Sequence, residues 1–85
     1  MTEGIFDEFT YPAGKTNYQI INEEGTPTTI TLEKWVADIL QIALPNVHEK
    51  IQSAYDKLLR EKPELSRREK GNYIRIMAEN TANAH

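Results

Sequence analysis

From Thr31 onward the apolar residues recur at helical spacing. Leu32, Trp35, Val36, Ile39, Leu40, Ala43 and Leu44 fall at i, i+3, i+4, i+7, i+8, i+11 and i+12, which predicts a helix over residues 32–44. Thr31 is placed to be its N-cap, and Glu33 complements the positive end of the helix dipole. Pro45 disfavours helix at Leu44, and Asn46 followed by Glu49 forms a capping-box signature for a new helix. That second helix, over residues 47–61, carries Val47, Ile51, Ala54, Tyr55, Leu58 and Leu59 on one face and stops before Pro63. A second capping box, Ser66 to Glu69, opens a third helix over residues 67–81 through Tyr73, Ile74, Ile76 and Met77. Gly71 in its first turns costs about 1 kcal/mol relative to Ala, so packing has to hold this helix. Its apolar face is wide for the size of the chain, which makes part of it a candidate dimer surface.

Upstream of the first helix the pattern is strand-like. The segments NYQIIN and PTTITL bracket Glu23-Glu24-Gly25, and their β-branched residues, with a Gly placed for the left-handed position of a short loop, predict an antiparallel hairpin over residues 17–32. Pro27 cannot donate to a ladder and belongs at a strand start or an edge. Residues 1–16 read as an irregular arm whose Phe6, Phe9 and Tyr11 pack onto the body. Gly14-Lys15-Thr16 resembles the tail of a phosphate-binding P-loop, but Phe9 stands where that loop needs a glycine, so a plain turn is the expectation. The fold class is therefore α+β: a two-stranded antiparallel hairpin followed by three helices, in one small domain over residues 1–85.

Composition narrows the functions open to such a fold. With 85 residues, 39% of them apolar, and no cysteine, the core is modest, and neither disulfides nor thiolate chemistry is available. Oligomerisation, a homodimer in the simplest case, would supplement the core. No membrane-spanning run and no leader-like N-terminus is present, so a cytoplasmic protein is expected. The net charge of −3 is unevenly spread. Residues 1–49 hold two cations against eight anions, whereas residues 50–85 hold eight cations against five anions. This polarity suits either a polyanion-binding surface at one end or complementary association with a protein.

Val36 to Ile51, VADILQIALPNVHEKI, resembles the core of the helix-turn-helix DNA-binding family. In that resemblance Ala37 is the small residue that lets the second helix cross, and Val36, Leu40, Ile42, Val47 and Ile51 lock the pair. Pro45 falls where the family's second helix often has proline. The chain departs from the pattern at Gln41, where the family has Gly, at Ala43, where it has a Ser or Thr cap, and in the late cap at Asn46. The resemblance implies that Leu44, Asn46, His48, Glu49 and Gln52 face the major groove, with His48 and Gln52 reading base edges. The alternative is an ordinary αα-hairpin without DNA, and the position where the first helix stops separates the two. More faintly, Thr29-Ile30-Thr31-Leu32 followed by two helices resembles the ribbon-helix-helix repressors, with Thr29 and Thr31 pointing outward.

Arg60, Lys62, Arg67, Arg68 and Lys70 form the basic cluster best suited to an anion, with Arg67 and Arg68 in the first turn of the third helix. The competing reading is a solvated face paired with Glu61, Glu64 and Glu69. His48-Glu49 resembles the start of the zinc-protease motif, but Gln52 stands where the second His is needed. No catalytic grouping stands out, and neither an enzyme, a metal nor a cofactor is expected. The leading expectation is a regulatory protein that binds double-stranded DNA through Asn46, His48, Gln52, Arg60, Lys62, Arg67, Arg68 and Lys70. Its rival is a non-enzymatic protein-binding module or inhibitor, of the kind accessory genetic elements carry, that presents Asp7, Glu8, Glu23 and Glu24 to a basic partner.

Overall fold

The computed structural model describes residues 14–85. Strands β1 (Lys15–Ile21) and β2 (Pro27–Glu33) form a two-stranded antiparallel sheet, followed by helices α1 (Lys34–Ala43), α2 (Val47–Glu61) and α3 (Arg67–Asn83). This is the predicted α+β order. The acidic residues Asp7 and Glu8 and the aromatic residues of the arm lie outside the described residues.

The hairpin is longer than predicted at both ends. Lys15 pairs with Glu33, Tyr18 with Ile30 and Ile21 with Pro27. Tyr18, Ile20, Ile30 and Leu32 therefore share one face, turned toward the helices. Gly25, at φ 80°, supplies the left-handed position expected of it. The loop is built around Asn22. Its side-chain oxygen accepts from the Glu24 N–H at 2.8 Å and the Thr26 N–H at 3.2 Å, and its amide donates to the Thr28 hydroxyl at 2.7 Å.

Thr31 is not the N-cap of α1, which corrects the expectation from local pattern. It stays in β2 opposite Asn17, and its hydroxyl donates to the Asn17 side chain at 2.9 Å. Cross-strand pairing wins over a lone cap because Ile30 and Leu32 on either side are paired with Tyr18 and Thr16, and the Thr31 hydroxyl finds its partner across the strands. The helix starts two residues later than predicted, at Lys34, after Glu33, which makes no side-chain capping bond. The other two starts follow the local signals. Asn46 accepts from the Glu49 N–H at 3.3 Å and sits at φ 52°, a left-handed value that Asn tolerates better than most residues. Ser66 and Glu69 complete both halves of a capping box.

The core joins all five elements through Ile20, Ile30, Leu32, Val36, Leu40, Val47, Ile51, Tyr55, Leu58, Ile74, Ala78 and Ala82. Tyr55 is fully buried at its centre, and Trp35 and Ile39 pack on its margin. Of the apolar positions on α3, only Ile74 and the two alanines turn inward. Tyr73, Ile76 and Met77 remain exposed. Among the described residues no helix is long and apolar enough to cross a membrane.

Candidate functional site

A two-stranded sheet has two free edges, and here they are treated differently. On β1, the Ile21 N–H donates to Gln52 Oε1 at 2.8 Å, and the Ile21 carbonyl accepts from Gln52 Nε2 at 3.0 Å. His48 Nε2 bonds the carbonyl of Gln19. These backbone groups must point away from β2. Ile21 also faces Pro27, which has no N–H to offer. Antiparallel pairing alternates between residues that exchange backbone bonds and residues that do not. By that alternation the N–H and C=O groups of Thr29 and Thr31 point outward from β2. Among the described residues no hydrogen bond reaches any of those four groups.

The open edge borders a cleft of about 310 Å³ between β2 and α3, lined by Thr28, Thr29, Ile30 and Thr31 on the strand and by Arg67, Arg68, Gly71, Asn72 and Arg75 on the helix. Gly71 faces Ile30 of the sheet at ordinary packing distance. A Cβ built there would stand 3.6 Å from Ile30 Cδ1. Arg75 was not singled out from the sequence. Its spacing of seven residues from Arg68, two helical turns, is the signal that places both on one stripe.

Arg67 fixes the upper end of the cleft. Its guanidinium donates to Glu23 Oε2 at 2.9 Å and lies 3.5 Å from Glu24. The Tyr55 hydroxyl donates to the other oxygen of Glu23 at 2.8 Å. Bonds from its own backbone N–H, from Tyr55 and from Arg67 lower the Glu23 carboxyl from 4.5 to about 2. Burial, then the Glu23 carboxylate, raises the Tyr55 hydroxyl from 10.0 to about 12. The same carboxylate raises Arg67. One donor of this group, Arg67 Nε, is buried with no hydrogen-bond partner among the described residues.

The residues expected to touch DNA are dispersed by these contacts. His48 and Gln52 hold β1, and Asn46 caps α2. Lys70, placed by its sequence in a basic surface cluster, is only 3% exposed and donates to the Leu65 carbonyl. Its position on α3 turns it under the preceding loop, where its charge meets a backbone acceptor. Arg67 is tied to Glu23 and Glu24, which are themselves the acidic residues expected to face a protein partner. Arg60 and Arg68 are exposed, and Lys62 is half-buried. Helix α1 is continuous through Gln41, Ile42 and Ala43, and the break falls at residues 44–46. Ile42, expected to lock the helix pair, is 88% exposed, and Gln41 donates to the Tyr18 hydroxyl at 2.8 Å. Among the described residues there is no group of three His, Asp or Glu side chains that could hold a metal ion.

Compared with known proteins, the chain matches no family model, no curated protein and no solved structure.

Proposed function

We propose that this chain is a non-enzymatic protein-binding module that takes an extended segment of its partner as a third strand along β2. The observation that carries this reading is the asymmetry of the two edges. Gln52 and His48 occupy three outward backbone groups at the Gln19–Ile21 end of β1, whereas those of Thr29 and Thr31 face outward, unbonded among the described residues, beside a cleft. An unpaired strand edge is a template for another chain, and addition of a strand is a recurrent way of recognising extended peptides. Pro27 and Glu33, residues of the kind that discourage pairing, stand at the two ends of β2 and leave the run TTITL between them.

The DNA reading has less support. Its base-reading residues, His48 and Gln52, are engaged within the chain, and the net charge of −3 opposes a polyanion at long range. A phosphodiester backbone also offers acceptors but no donors for the Thr29 and Thr31 carbonyls.

The test is a selection of short randomised peptides on the purified protein and on Thr29→Pro. The substitution removes an outward N–H and leaves the bonds to β1 in place. Peptides that bind the unmodified chain and lose Thr29→Pro, with its circular dichroism unchanged, support the reading. Equal binding to both proteins overturns it. Binding of duplex DNA instead, weakening by about 0.9 log units per phosphate contact for each log of salt, would establish the DNA reading in its place.

A further inference from the structure

We infer that the segment seated on β2 is acidic, with carboxylates at alternate positions that meet Arg68 and Arg75. The inference rests on the edge-binding reading and adds the chemistry of the partner. Helix α3 runs beside β2. Arg67 and Arg68 lie near the Thr28 end, and Arg75 lies between Thr31 and Glu79 toward the Glu33 end. A strand added to β2 would turn every second side chain to the inner side of the sheet, where the helix lies.

Arg68 and Arg75 are seven residues apart on one face, about 10 Å along the helix axis. Same-side residues of a strand recur about every 7 Å, so flexible arginine side chains can reach carboxylates two or four positions apart. The cations are available. Arg68 makes no ion pair among the described residues, and Arg75 bonds only the neutral amide of Asn72. Among the described residues, Arg67 alone of the three is neutralised, by Glu23 and Glu24. The adjoining pocket beyond Thr31 and Arg75 is different, because Glu33 and Glu79 line it together with Lys15 and Arg75. The acidic stretch of the partner therefore lies over Thr28 to Thr31 and ends before Glu33.

A second copy of this chain fits the cleft poorly. Antiparallel pairing of β2 with β2 would bring Thr28, Ile30 and Leu32 of the copy to the inner side, leaving Arg68 and Arg75 without counter-charge.

The experiment compares short capped peptides in which valine alternates with glutamate, glutamine or lysine, titrated by amide chemical-shift changes against the unmodified protein, Arg68→Gln, and the double variant R68E/R75E. The glutamate peptide should bind roughly five- to ten-fold more tightly than the glutamine peptide at low salt, and the gap should close as salt rises. Arg68→Gln should narrow the gap, and R68E/R75E should reverse the order in favour of lysine. If glutamate and glutamine peptides bind equally at Thr29 and Thr31, the acidic partner is wrong while edge binding stands. If no peptide moves those amides, edge binding itself fails. Self-association that rises with concentration and occupies the same amides would make the second copy the occupant and overturn the inference.

Discussion

Gln52 grips the backbone of Ile21 from both directions, accepting its N–H at 2.8 Å and donating to its carbonyl at 3.0 Å. One side chain on α2 thus supplies what a third strand would supply to the end of β1, and blocks that end of the edge.

Replacing Gln52 by Ala removes both bonds and leaves two backbone groups to water. Q52A should lower the unfolding free energy by about 1–2 kcal/mol, read as a shift of the urea midpoint at constant slope. Had Gln52 been free to read bases, the same change would leave stability untouched.

Glu23 gives the stability a definite pH dependence. Its carboxyl is held at about 2 in the folded chain against an ordinary 4.5, so between these values the unfolded state binds more protons. Stability is then complete above about pH 4.5 and falls as pH drops toward 2. Tyr55 acts at the other end. Its hydroxyl is raised from 10.0 to about 12, so its contribution is complete below pH 10 and is lost as pH rises through that interval. Chemical denaturation across pH should show Glu23→Gln flattening the acid limb and Tyr55→Phe flattening the alkaline limb. Unchanged slopes would show that Glu23, Tyr55 and Arg67 do not act together.

Gly71 faces Ile30 with room for one methyl group, since a built Cβ stands 3.6 Å from Ile30 Cδ1. Gly71→Ala should raise the unfolding free energy by about 0.5–1 kcal/mol through helix propensity and a more restricted unfolded chain. A loss of stability in the melting curve would mean that α3 lies closer to β2 than the 3.6 Å clearance allows.

The parts of the fold legible in the sequence are those set by local contacts. Asn46 with Glu49 and Ser66 with Glu69 announce the starts of α2 and α3 within a few residues. Thr31 misleads because its partner, Asn17, is 14 positions away and holds it in the strand. The site was less legible for the same reason. His48 and Gln52 read as exposed polar residues on a helix, and only the packing of α2 against β1 brings them to backbone groups 29 and 31 positions upstream. Lys70 reads as one cation in a basic run, yet the turn before α3 folds back to give it the Leu65 carbonyl. Asn22, beside two glutamates and a glycine, is a local signal of the loop, since Asn readily bonds backbone N–H groups two residues on.

Residue-resolved amide hydrogen exchange reaches the central claim most directly, because it reads both edges of the sheet in one molecule. In the free protein the Ile21 amide should be protected by Gln52, while the Thr29 and Thr31 amides, with no acceptor among the described residues, should exchange at rates near those of an open chain. Adding the alternating glutamate–valine peptide should slow Thr29 and Thr31 and leave Ile21 as it was. Protected Thr29 and Thr31 amides in the free monomer, or a bound peptide that leaves them fast, would contradict an open, binding-competent β2 edge.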